Sequence, residues 1–408
     1  METPLPSRDA PRSEPPTRYL SVDALRGFDM FWIIGGETAA RALEALGGGP
    51  VVSFISSQLQ HVEWEGFRFY DAIFPLFLFL VGVSIVLSVD RMVARVGRSR
   101  ALARIVRRSA LLFAVGVFYY GGIARPWPDV QLSGVLPRIA LCYLVAATLY
   151  VLLPRKGIVI ATAACLLGYW ALMLFVPFPN VDIKTPAGAR KQVEAKTREE
   201  LFAGAASTTK GTFKEGLNLA HYVDACWLPG RKRNLYYSNE GLLSTIPAVA
   251  STLFGVLAGW VLTHGRRSGR WKVGWLVGSG LAGVVIGLLW GLEFPVIKRL
   301  WTSSFCMVAA GFSAVLLGLF YLVVDLWRWQ RWCAPFLWIG GNALVVYIAV
   351  SVVNCEALAA RIVGGDVARF LDASLRPGSG GFVIAMVALL LPVLFVRFLY
   401  KRNLFIRL

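Results

Sequence analysis

The sequence predicts an all-α membrane protein, a polytopic bundle of about ten transmembrane helices. Three observations carry that expectation. Of 408 residues, 56% are hydrophobic and only 16% are charged, whereas soluble chains average about a quarter charged. The mean hydropathy is +0.60. Apolar windows of bilayer-crossing length, about 17–25 residues, recur along the whole chain.

The windows fall at 20–38, 71–89, 109–123, 134–153, 157–176, 241–263, 272–291, 302–325, 335–354 and 380–399. Residues 1–18 are Pro-rich and charged and read as a disordered cytoplasmic N-terminus. The run after them carries Asp23, Arg26 and Asp29, unlike the apolar core of a cleavable leader, so it reads as an uncleaved span. Basic residues collect at every second junction. Seven arginines lie within 91–108, followed by Arg155 and Lys156, then Arg266, Arg267, Arg270 and Lys272, then Arg328 and Arg331, and finally Arg397, Lys401 and Arg402. By the positive-inside rule those loops are cytoplasmic, as are both termini. The expected organisation is a first five-helix half at 19–176, an extracytoplasmic loop at 177–239 and a second five-helix half at 240–408. The loop carries ten basic residues, but a segment of that length crosses largely regardless of charge. Within it, 184–215 is polar and Gly/Ala/Thr-rich, and only VEAKTREELF has a helical pattern.

The net charge of +18 is accounted for by these loops, so nucleic acid is not an expected partner; the lipid bilayer is. The six cysteines form no C-x-x-C pair and mostly lie in apolar runs. They read as small core residues, with neither a metal site nor a disulfide framework.

Charges inside spans point to function, because each is costly near the bilayer centre and faces a bundle interior or a wet cavity. In the first span Asp23, Arg26, Met30, Ile33 and Glu37 are spaced 3, 4, 3 and 4, one helical stripe. At about 1.5 Å per residue the stripe is about 21 Å long. Asp23 and Arg26 also suit a local i, i+3 anchor. Glu37 resists that reading, since it follows Gly35 and Gly36 and lies one turn from Arg41.

His61 is the leading catalytic candidate. It is one of three histidines, and the other two, His221 in the long loop and His264 beside an arginine cluster, read as solvated surface residues. Glu63, Trp64, Glu65 and Asp71 surround His61 in sequence, and Glu37 ends the preceding span on the same face. A carboxylate beside an imidazole sets its tautomer and basicity, as general-base chemistry near neutral pH requires. Asp71 also suits the N-cap of the second span, with Pro75 in its first turn. The two roles are compatible.

Six blocks in order carry a family resemblance: SVDALRG in the first span, H-x-x-W-x-G-x-x-x-x-D-x-x-F-P from His61 to Pro75, GVLPR ending at Arg138, EGLLSTI from Glu240, PVIKRLW with Lys298 and Trp301, and GNALVVY with Asn342. The chain resembles the heparan-α-glucosaminide N-acetyltransferase family, as a bacterial relative. The resemblance implies a transmembrane acyltransferase-like fold and an acetyl-CoA-dependent N-acetyltransferase. Acetyl would pass from cytosolic acetyl-CoA to an extracytoplasmic acceptor, an amino sugar or other envelope glycan. It also implies a bacterial inner membrane and a homodimer. The family's catalytic histidine falls on His61, and its important asparagine near the outer end of the first span falls on Glu37, a departure that puts the acceptor in question.

On this reading His61 is general base or transient acyl carrier, and Glu37 or Asp71 holds the imidazolium. Arg26, Arg107 and Arg108 are candidates for the coenzyme phosphates, the last two equally suiting positive-inside anchoring. Asn342 suits either a nucleotide hydrogen bond or a helix cap. Arg138 and Lys298, at outer span ends, belong to the acceptor site or pair with carboxylates, Glu240 among them. Trp64 and Trp301 suit sugar stacking or the interfacial belt. The alternative function is a secondary transporter of an anionic or sugar-like solute, although the histidine block has no counterpart in the second half.

Overall fold

The computed structural model describes residues 19–47, 49–124, 126–184 and 197–405. The expected disordered N-terminus, 1–18, lies outside them. The architecture is all-α and multi-pass. The first part of the chain holds α1 (Leu20–Ala45), the short α2 (Pro50–Gln58), α3 (Ile73–Val96), α4 (Arg98–Tyr119), α5 (Val135–Leu152) and α6 (Arg155–Phe175). The long loop adds α7 (Arg198–Phe202), α8 (Leu219–Trp227) and a two-stranded antiparallel pair, β1 (Phe178–Pro179) with β2 (Thr208–Thr209). Then come α9 (Thr245–Leu262), α10 (Gly269–Trp290), α11 (Ser303–Phe320), α12 (Ala334–Gly341), α13 (Ala343–Val352), α14 (Cys355–Val363), α15 (Asp366–Ser374) and α16 (Ser379–Lys401).

Among the described residues, seven helices are long and apolar enough to cross a membrane, and α12 with α13 makes an eighth if that pair, bent by 71°, is one span. The two other expected spans fall on α1 and α4, of 26 and 22 residues. Both are long enough to cross but carry more charge than the rest. The bend is where the sequence reads Gly340-Gly341-Asn342. Gly340 is fixed by contact, since a Cβ there would lie 2.1 Å from the Asp23 carbonyl oxygen.

Small residues set the closest helix crossings, as membrane packing favours. A Cβ on Gly82 of α3 would stand 1.9 Å from Thr252 O of α9, and one on Gly255 would stand 1.8 Å from Phe79 O. The central packing therefore joins an early helix to a late one. Around this crossing lies a core that includes Leu78, Ile85, Ile139, Leu253, Val256 and Phe305.

The long loop folds back on the bundle. The helical patch expected around VEAKTREELF is limited, among the described residues, to α7, begun by a Thr197/Glu200 capping box. His221 is buried, contrary to its expected solvated position: its ring stacks on Tyr237 at 3.7 Å and meets Trp64 edge-on at 5.9 Å. Burial and the Arg299 charge push its pKa down to about 3, so it stays neutral. Asp224, also buried, accepts from the Ser238 and Leu242 amides at 3.2 and 2.9 Å. Burial nevertheless pushes its pKa up to about 6.

Candidate active site

The segment after α2 has no regular structure until Phe69, where a short 3-10 turn, Phe69–Ala72, leads into α3. Asp71 sits inside that turn and is fully buried. It does not cap α3, whose N-cap is Ala72. Its Oδ2 reaches back to accept from the Arg68 amide at 3.1 Å and the Val62 amide at 3.3 Å. Oδ1 is thereby turned toward His61, and Nδ1 of the imidazole lies 2.9 Å away.

A second contribution comes from far along the chain. Glu65 and Ile297 form an isolated antiparallel bridge, and the Gly66 amide donates to Val296 O at 2.9 Å. This pairing delivers Lys298, whose Nζ stands 2.9 Å from His61 Nδ1, 3.3 Å from His61 Nε2 and 3.3 Å from Asp71 Oδ1. Asp71 thus meets two backbone amides, the Lys298 ammonium and the Nδ1 edge of His61. Nδ1 faces both the Asp71 carboxylate and the Lys298 ammonium, which also approaches Nε2. Burial pushes the Lys298 pKa down to about 8, while the Asp71 carboxylate acts in the opposite direction.

The floor of the site is Tyr70, missed in the sequence: its ring lies under His61 at 4.6 Å and 30°. Tyr70 packs on Gly36, where a Cβ would come within 2.5 Å of the Tyr70 ring, so the glycine admits the aromatic. Glu37 follows at the exposed edge of α1. Its carboxylate makes no hydrogen bond or ion pair with a described residue, and the partner that holds the imidazole is Asp71. Glu37 and Glu240 both lie within electrostatic reach of Lys298, and neither forms a close ion pair with it.

Of the other sequence candidates, Arg138 and Trp301 come together. The Arg138 guanidinium is buried, with its carbon 5.1 Å from the Trp301 ring centre. Its Nη2 donates to Asn239 O and Gly241 O at 3.1 and 3.3 Å and to the Ser244 hydroxyl. Trp301 is itself buried, donates from Nε1 to Ser251 Oγ at 3.0 Å and meets the edge of Phe74 at 5.1 Å. It is a packed wall of the Arg138 niche rather than an open platform for a sugar. Trp64 donates to Phe213 O at 2.9 Å and fastens the long loop.

The expected coenzyme residues are dispersed. Arg26 pairs with Asp23 at 3.4 Å and donates to Ser84 Oγ at 3.0 Å, half-buried. Arg107 is exposed, and Arg108 lies 5.0 Å over the Tyr143 ring. Asn342 is buried with Nδ2 donating to Leu404 O at 3.1 Å, an anchor for the C-terminal turn.

Residues 18–187, which contain His61 and Asp71, match the family model described as heparan-alpha-glucosaminide N-acetyltransferase, catalytic. The chain resembles the heparan-alpha-glucosaminide N-acetyltransferases. The mouse protein of that name is 27% identical over 393 residues, covering 86% of this chain and 57% of its own length. The human heparan-alpha-glucosaminide N-acetyltransferase is 26% identical over 376 residues, 82% of this chain and 52% of its own. The chain therefore spans little more than half the length of these curated relatives.

Proposed function

We propose that the protein is an acetyl-CoA-dependent transmembrane N-acetyltransferase acting on an amino sugar or related glycan at the membrane face opposite the coenzyme. The observation that carries this reading is the His61–Asp71–Lys298 cluster, whose first two members lie inside the region similar to the acetyltransferase catalytic model. The relatives' names support the reaction class, and the basic loops support the orientation: both termini cytoplasmic, His61 toward the exterior of a bacterial cytoplasmic membrane.

In this mechanism the acceptor nitrogen attacks the thioester carbonyl while His61 Nε2 takes its proton. Asp71 fixes the Nδ1–H tautomer and stabilises the imidazolium that forms. The Lys298 ammonium, 3.3 Å from Nε2, stands beside the reacting centre and offsets the negative charge that grows on the carbonyl oxygen. The C–S bond then breaks, the new C–N bond remains, and the coenzyme thiolate takes up a proton. Glu37, with its carboxylate free at the rim, attracts a protonated amine acceptor, which sheds one proton to solvent before its lone pair attacks. Arg26, on the expected cytoplasmic side of the same helix, meets the phosphates of the coenzyme.

The test is transfer of labelled acetyl from acetyl-CoA to a panel of amino sugars by the protein in proteoliposomes. Transfer that vanishes in His61→Ala supports the reading; absence of acetyl-CoA binding at millimolar concentration overturns it. Trapping of labelled acetyl on His61 without acceptor would select an acyl-histidine route, and its absence direct transfer.

A further inference from the structure

On the side of α1 away from Tyr70, a cleft of about 260 Å³ opens between α1, the end of α13 and α16. Its apolar wall is Ile34, Val350, Ala388 and Leu389, all on helices of the membrane bundle. Its rim is polar. There Glu356 Oε1 accepts from Thr38 Oγ1 and from Arg41 Nη2, both at 2.8 Å. Glu356 Oε2 and the remaining Arg41 nitrogens have no partner among the described residues. The Arg41–Glu356 pair is exposed, with side chains 65% and 54% accessible, and it sums to zero charge.

An apolar slot between membrane helices, topped by one cation and one anion with free valences, has the pattern of a zwitterionic amphiphile in reverse. A phosphate matches the unused Arg41 N–H groups, an ammonium matches Glu356 Oε2, and an alkyl chain matches the wall. The neighbouring Val352 and Val353 are exposed, continuing an apolar surface from the slot to the lipid. We infer that the cleft is a binding site for one aminophospholipid, its acyl chain along Val350 and Ala388 and its headgroup across Arg41 and Glu356.

The site has a path to the reaction centre. Gly35 and Gly36 are adjacent on α1: Leu389 of the cleft presses on the first, where a Cβ would lie 2.0 Å from Cδ1, and Tyr70 presses on the second. A lipid that holds the Leu389 wall in place also seats α1 against Tyr70, and through it the ring of His61. Binding itself is independent of the acetyltransferase reading.

The test is photolabelling of the full chain in nanodiscs of phosphatidylethanolamine and phosphatidylglycerol, with a tracer phosphatidylethanolamine carrying a diazirine in its acyl chain. Label is expected to concentrate on peptides containing 34–38, 350–356 and 385–389, above the level on α10, whose outer face is exposed to lipid. Ala388→Trp, which fills the slot, abolishes that excess and leaves α10 labelling unchanged. Val350→Phe, filling it from the opposite wall, serves if the first variant does not fold. Glu356→Gln lowers the excess about tenfold, the equivalent of one charge-assisted hydrogen bond. Label spread evenly over α10 and α16, an excess that survives both filled variants, or equal labelling by a phosphatidylglycerol tracer overturns the inference.

Discussion

Asp71 holds His61 by one carboxylate oxygen, Oδ1 to Nδ1 at 2.9 Å, while two backbone amides occupy the other. The imidazole is therefore oriented by a group that is itself immobilised, the arrangement that fixes a tautomer. In Asp71→Asn the amide can present N–H to Nδ1, leaving the proton on Nε2, where the base is needed. The turnover number is expected to fall by about 10²–10⁴, with acetyl-CoA binding retained. Single-turnover acetyl transfer and a binding isotherm on the same preparation separate the two.

Lys298 sets an alkaline limit. With its pKa near 8, the ammonium is lost as pH rises through that value, and the rate is expected to decline on that limb. Lys298→Arg keeps a cation at all working pH and moves the limb upward. Lys298→Met removes the limb and lowers the plateau by about 10²–10³. The stability linkage has its own sign: the native lysine binds fewer protons than the unfolded one between about 8 and 10.5, so stability rises with pH across that window. The pH–rate profiles of the three proteins are the measurement.

The long loop contains two opposed titrations. His221, lowered from 6.5 to about 3, makes stability fall as pH falls through that interval. Asp224, raised from 3.8 to about 6, makes stability rise as pH falls through its own. Where the windows overlap the two effects largely cancel. Amide protection of α8 is therefore expected to be nearly flat from about pH 4 to pH 6 in the native protein. Asp224→Asn exposes the histidine and makes protection decline on acidification. Hydrogen exchange, corrected for intrinsic rates, checks this.

The α3–α9 crossing tolerates no added volume. Gly82→Ala drives a methyl into Thr252 O and is expected to destabilise the bundle by about 1–3 kcal/mol. Gly168→Ala, at a helix position where a Cβ meets nothing within 4 Å, serves as the control. Thermal unfolding in detergent compares them.

Most helices were legible because a bilayer-length apolar run leaves little choice of structure. The sequence expects one span over 335–354, since apolar residues continue through the bend between α12 and α13, and Gly340-Gly341-Asn342 is the signal for the bend. His61, Asp71 and Lys298 each stood out as ionisable groups at apolar thresholds. Their meeting did not, because one backbone bridge between Glu65 and Ile297 has no periodicity to detect. Lys298 is expected at the acceptor site or paired with a carboxylate, Glu240 among them, and the carboxylate it pairs with is Asp71. Tyr70 looked like one more aromatic among many, and only its stacking on His61 distinguishes it. His221 is expected at the surface because it lies in the long loop, whereas its neighbours in space are Trp64 and Tyr237.

Lys298 and His61 are separated by 237 residues. During synthesis the histidine and its carboxylate leave the ribosome long before their cation exists, and α3 must enter the membrane with Asp71 lacking its eventual partner. Assembly of the reaction centre is thus a late event, completed when the turn before α11 docks on the loop before α3. A nascent or truncated chain that stops short of that docking carries every residue of the first half and no working site.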